Sequence, residues 1–129
     1  MILLDTHVLI WAVAEPKKLS RAATAAIMKA RADDGVAIAA VSLWEIAILV
    51  ARRRIQAYGS VEASVRMLTQ GVAILPLTPD IAALATQFPE EYSRDPADRQ
   101  IAATARAAGL PLITRDEKIR ASGFVKTVW

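Results

Sequence analysis

Leu110-Pro111-Leu112-Ile113-Thr114-Arg115-Asp116 is a short apolar run that ends on a carboxylate, and the chain opens the same way, with Met1-Ile2-Leu3-Leu4-Asp5. Two further runs lie between them, Val36-Ala37-Ile38-Ala39 and Val72-Ala73-Ile74-Leu75. Each is too short for a helix and apolar at successive positions, the mark of a strand buried on both faces. Helical stretches separate them. This alternation predicts an α/β fold of three layers, α/β/α, around a central parallel sheet of four strands, with a fifth at the edge over Val125 to Val128.

Working outward, Val8 to Trp11 reads as a short helix, and Ser20 caps a helix from Arg21 to about Arg31. Ser42 is expected to open a helix that runs to Arg52-Arg53-Arg54, with Ser42 and Glu45 forming a capping box. Val61 to Gln70 makes a further helix. Thr78-Pro79 and Asp95-Pro96 each pair an N-cap residue with proline at the first helical position. Gly109 closes the second of these helices where a left-handed cap is favoured.

At 129 residues the chain is expected to be one domain, 1–129, large enough for a sizeable core. It is 54% hydrophobic, much of that alanine, which suits closely packed helices. The longest greasy run, Val36 to Ala51, is interrupted by Ser42 and Glu45 and falls short of the ~18 to 20 apolar residues of a spanning helix. No basic leader precedes the first apolar run and Asp5 interrupts it, so the reading is of a cytoplasmic protein without signal peptide or membrane span. There is no cysteine, hence no disulfide framework or thiolate chemistry. The net charge of +3 becomes more positive on the remaining surface if several acids are held by metal, which suits a polyanionic partner.

In a parallel sheet the carboxyl ends of strands and the amino ends of the following helices share one edge, where ligands bind. Asp5, Glu45, Asp98 and Asp116 all fall at such positions. Each also has an ordinary explanation, because helix starts favour acidic residues. Asp95 is the strongest cap among them. Asp98, however, shares a helix stripe with Ile101, Ala102, Ala105 and Ala108, and Glu45 lies beside Ile46, Leu49 and Val50. A carboxylate on a buried stripe needs a partner, and no lysine is placed to serve. Crowded carboxylates repel unless protonated or bridged by cations. Oxygen ligands without cysteine, with His7 as the sole imidazole, select magnesium or manganese over zinc or copper. The phosphate-loop, nucleophile-elbow and zinc-protease motifs are absent from the sequence.

Four ordered segments carry a family resemblance. Leu3-Leu4-Asp5-Thr6-His7, Ser42-Leu43-Trp44-Glu45-Ile46, Asp95-Pro96-Ala97-Asp98-Arg99-Gln100-Ile101-Ala102 and Leu112-Ile113-Thr114-Arg115-Asp116 resemble the successive motifs of PIN-domain nucleases. Chain length and the third motif look like the VapC-type toxins of toxin–antitoxin pairs. The resemblance implies a Mg²⁺- or Mn²⁺-dependent ribonuclease with Asp5, Glu45, Asp98 and Asp116 as its metal-binding quartet. It also implies a homodimer and a cognate antitoxin that enters the acidic groove. Asp95, Thr6 and Thr114 take supporting places beside the quartet, and Arg94, Arg99, Arg115 and Lys118 are candidates to grip an RNA backbone. Trp11 and Trp44 offer apolar surface for a dimer. Competing readings are a non-catalytic RNA- or antitoxin-binding module and a DNA- or structure-specific nuclease.

Overall fold

The computed structural model describes residues 1–129. Five strands, β1 (Ile2–Leu4), β2 (Val36–Ala39), β3 (Ala73–Leu75), β4 (Leu112–Ile113) and β5 (Thr127–Val128), form one sheet in the order β3-β2-β1-β4-β5. Every pairing is parallel. The helices are α1 (Thr6–Ala14), α2 (Arg21–Ala32), α3 (Ala40–Ala51), α4 (Val61–Leu68), α5 (Pro79–Thr86), α6 (Pro96–Ala108) and α7 (Glu117–Ser122). The three-layer α/β/α expectation therefore holds, with all five strands present.

Side-chain alternation along the strands divides the interior into two cores. Ile2, Leu4, Val36, Ile38 and Ile113 pack with α1, α2, α3 and α4 on one face. Leu3, Ala37, Ala39 and Leu112 pack with α5, α6 and α7 on the other. Alanines dominate the second face of β2 and the inner stripe of α6, which lets that helix lie close to the sheet. Leu3, Leu4 and Leu112 are fully buried; burial of each such side chain contributes roughly 1.5–3 kcal/mol. No helix is long and apolar enough to cross a membrane.

The order places β1 at the centre, between β2 and β4. From β1 the chain first builds outward through β2 and β3, then returns to the other side for β4 and β5. The strand order thus reverses at the β1/β4 boundary, where the connections part and leave a crevice beyond the carboxyl ends of the strands. Asp5 and Thr114 are the residues that leave those two strands.

One local expectation is overturned. Ser42 does not cap α3: the helix starts at Ala40, directly from β2, and its cap residue Ala39 contributes no side-chain bond. Ser42 lies inside the first turn and is fully buried. Glu45 accordingly sits in the second turn, not the first, and takes no part in a capping box. The physical reason is tertiary: both side chains turn toward Thr6 instead of the helix's own free N–H groups.

Candidate active site

The crevice holds a cavity of about 570 Å³ lined by ten residues, among them Asp5, Glu45, Asp95, Asp98, Asp116 and Glu117. The four carboxylates singled out in the sequence are thus brought to one place from α1, α3, α6 and α7. Glu117 is an addition that the sequence reading did not single out.

Each carboxylate is held by a short-range device. Asp5 caps α1: its Oδ1 accepts from the Thr6 N–H at 2.8 Å, and its Oδ2 accepts from the Thr114 hydroxyl at 2.8 Å. Thr114 also accepts from the Asp116 N–H at 3.1 Å, so one buried hydroxyl ties the two acidic loops together. Thr6 donates to Glu45 Oε1 at 2.6 Å, and its oxygen lies 2.9 Å from Ser42 Oγ on the other side. Asp98 Oδ2 accepts from Ser93 at 3.0 Å. Asp116 caps α7, with Oδ1 accepting from the N–H groups of Lys118 and Ile119. Glu45, Asp98 and Asp116 are each pinned through one oxygen, and the other oxygen makes no hydrogen bond within the protein. Asp95 accepts from the Ala97 N–H at 2.9 Å, as its cap role requires, and also lines the cavity.

Electrostatics in the crevice is unbalanced. Burial pushes the Asp98 carboxyl up to about 7, helped by the neighbouring negative charge of Asp95 and opposed by the Ser93 hydrogen bond. Burial also raises Asp5 and Glu45 above the usual carboxylate range, against the hydrogen bonds from Thr114 and Thr6 respectively. The ion pairs in the protein join the Met1 amino group to Asp34, Lys18 to Glu15 and Arg66 to Glu62, and none involves a crevice carboxylate. A partly buried group of acids with no cationic partner is costly unless a cation supplies the missing charge.

The donor set fits a hard divalent cation. It is all carboxylate oxygen, with three oxygens free and their side chains oriented. The acids stand around the cavity without converging, and no three of them, His7 included, lie close enough together to hold one ion. Like charges facing one another across a cavity favour such a spread, and rotation of the side chains about their pinned oxygens is the movement that would gather them.

The basic candidates separate. Arg115 lines the acidic cavity. Arg94 and Lys118 line an adjoining one of about 680 Å³ that shares Asp98, Asp116 and Glu117 with the first. Arg99, expected to face a substrate, does not: its guanidinium donates to the backbone carbonyls of Ser93, Phe88 and Pro89 at 2.6, 2.7 and 2.9 Å, and to Ala85 at 3.3 Å. Four of its five donors are taken up by these bonds, and Arg99 lines neither acidic cavity. Trp11 lines the cavity and is partly exposed, and Trp44 is 67% exposed. Arg52, Arg53 and Arg54 are exposed at the carboxyl end of α3.

Two residues of the α5–α6 loop escaped the sequence reading. Ser93 holds Asp98 and also accepts from the Asp95 N–H. Tyr92 is buried between Phe88 and Phe124, with a hydroxyl that has no hydrogen-bond partner. Burial and the charges of Asp98, Asp5 and Asp116 push that phenol above its usual range, so it stays protonated. A serine or tyrosine in a loop carries no periodic signal. The one hint is nearness to Asp95-Pro96.

The model of the PIN domain family matches residues 2–125. The chain belongs to the PIN-domain family. Among its relatives, "Ribonuclease VapC22" of Mycobacterium tuberculosis is 41% identical over 130 residues, covering 99% of this chain and 98% of that one. A solved structure of VapBC2 from Rickettsia felis, bound to a DNA fragment from its promoter, superposes with a TM-score of 0.75 over 98% of this chain and 97% of that one, at 15% identity, a likeness of fold. FitAcB from Neisseria gonorrhoeae gives a TM-score of 0.66 at 27% identity over 98% and 96%. The PIN domain thus extends over nearly the whole chain, and PIN-domain ribonucleases generally use divalent metal ions.

Proposed function

We propose that this protein is an endoribonuclease that hydrolyses RNA phosphodiesters with Mg²⁺ or Mn²⁺, and that it is the toxin of a toxin–antitoxin pair. The observation that carries this reading is the meeting of Asp5, Glu45, Asp98 and Asp116 in one cavity with none of the four in an ion pair. Similarity to a relative named as a ribonuclease supports the substrate. Structural likeness to VapBC complexes supports a protein antitoxin as partner. Residues 1–129 act as one domain, in the cytoplasm, and pair as a homodimer.

Asp5, Glu45, Asp98 and Asp116 hold the metal. When bound there, a divalent cation would supply Lewis acidity toward phosphate and water oxygens. Thr114 and Thr6 keep Asp5 and Glu45 in orientation, Ser93 does the same for Asp98, and Asp95 adds negative charge at the rim. Arg115, Arg94 and Lys118 attract the backbone phosphates on either side of the carboxylates. Arg99 supports the loop beneath.

The test uses Asp5→Asn and Asp98→Asn with purified protein on single-stranded RNA, tRNA and DNA in parallel. Cleavage of RNA by the wild type, silenced by EDTA and lowered at least a hundredfold by either substitution while the circular dichroism spectrum holds, is the expected result. RNA cleavage that persists in both variants with metal added overturns the quartet. Cleavage of DNA alone overturns the substrate. A short reading frame immediately upstream, encoding a DNA-binding start and a disordered tail, would identify the antitoxin.

A further inference from the structure

The carboxylates account for only part of the cavity lining. The rest includes a stretch of α1: Val8 and Trp11 are the two hydrophobic residues that line the cavity, and His7 lines it with them. Positions seven, eight and eleven share a helix face, so Trp11 stands one turn above both neighbours. A metal site requires no indole. Nor does a metal fill the space, since a cation with six waters takes on the order of 200 Å³ at roughly 30 Å³ per water, and the cavity holds about 570 Å³.

The indole is fixed before any ligand arrives. Its ring centroid is 6.0 Å from that of His7, tilted by 53°, and 6.1 Å from that of Trp129, tilted by 59°. Two cations attend the same ring, Lys18 Nζ at 5.8 Å and Arg115 Cζ at 5.9 Å from its centroid. Both belong to exposed residues, arms that can move aside without unpacking the core. A braced aromatic ring with exposed cations around it is the usual equipment for a nucleobase and its phosphates.

We propose that the α1 wall is a nucleobase subsite: a base beside the phosphate held at the carboxylates stacks on Trp11, and Arg115 pairs with the adjoining phosphate. The subsite rests on the phosphodiesterase reading above and adds a determinant to it. Stacking tolerates every base, so Trp11 governs affinity for unpaired nucleotides more than choice of sequence.

Ribonucleoside 5′-monophosphates test it without requiring a bond to cut. The four nucleotides and ribose 5-phosphate are titrated separately into the full chain with Mg²⁺ present, and the indole N–H signals of Trp11 and Trp44 are followed by NMR. Saturable movement of the Trp11 signal with nucleotides, stillness of Trp44 and much weaker binding of ribose 5-phosphate are expected. Trp11→Leu should weaken nucleotide binding about tenfold or more, and Trp11→Phe should keep most of it. On RNA, Trp11→Leu should raise KM more than it lowers kcat.

The proposal is overturned by nucleotides that leave the Trp11 signal unmoved, by ribose 5-phosphate binding as tightly as the nucleotides, or by equal affinity of Trp11→Leu. Should Trp11→Leu fail to fold, the wild-type comparison of nucleotides with ribose 5-phosphate decides alone. A wild type that binds nucleotides at Trp11 yet cleaves no RNA would sink the hydrolase reading and keep the subsite, so the two failures are distinguishable.

Discussion

Two threonines give this crevice its precision. Thr6 and Thr114 are almost completely buried, yet each spends its hydroxyl on a carboxylate of the cavity. Those bonds favour the charged forms of Glu45 and Asp5, as the Ser93 hydroxyl does for Asp98, while burial and the neighbouring acids oppose them, and the opposition prevails at all three. A consequence for stability follows from the sign of the shifts. Asp98 has an ordinary value of 3.8, which the unfolded chain adopts, and is raised to about 7 by the fold. Between those values the folded state binds more protons, so stability falls as pH rises from about 4 to 7. The metal-free protein should therefore melt at a higher temperature at pH 5 than at pH 8, and saturating Mn²⁺ should erase that difference. A melting temperature that rises with pH in EDTA would contradict the electrostatics described. Tyr92 offers a second check. Its hydroxyl is buried without a partner, and an unmade hydrogen bond costs about 1–3 kcal/mol. Tyr92→Phe should leave the melting temperature unchanged or raise it. A clear loss of stability would mean that the hydroxyl has a partner after all.

At the scale of elements, the Asp-Pro start of α6 does two jobs. Asp95 caps the helix, and the following turn carries Asp98 into the crevice and Arg99 away from it. Arg99 fastens the α5–α6 loop through the carbonyls of Ala85, Phe88, Pro89 and Ser93. Arg99→Ala should destabilise the protein by roughly 1.5–3 kcal/mol, because partly buried carbonyls lose a charged donor, and it should loosen Ser93 and hence Asp98. Arg99→Lys, with one compact ammonium in place of a planar fork, should recover only part of the loss. Melting temperature and Mn²⁺ affinity measured together check both effects. The same helix shows what sequence can and cannot convey. Its start, its stop at Gly109 and the inward place of Asp98 were legible, because proline, glycine and apolar spacing are local signals. Arg99 was misread as facing substrate, since the carbonyls that claim it lie six to fourteen residues away. Glu45 was rightly expected near the edge of the sheet but placed in the wrong turn, because a buried Ser42 looks in sequence like a cap. Ser93 and Tyr92 had no signal, as loop contacts are made by the fold and leave no period behind.

Across the whole molecule, a protein with formal net charge +3 keeps an acidic cavity within a basic sequence. A divalent cation that binds only the folded state should stabilise the chain by about 2.7 kcal/mol at a hundredfold excess over its Kd. A melting temperature that responds to Mn²⁺ in the wild type and not in Asp98→Asn would locate the binding. The strand order was not legible in the sequence, although the parallel character was: alternation of strands and helices fixes direction, and only packing decides which neighbours meet. That order has a consequence in time. The bond between Thr114 and Asp5 joins residues 109 positions apart, and the sheet is incomplete until β4 takes its place beside the first strand made. A ribosome must therefore synthesise the chain through Asp116 before the crevice can exist. A nascent chain short of that point carries the carboxylates of Asp5 and Glu45 without the site that would use them.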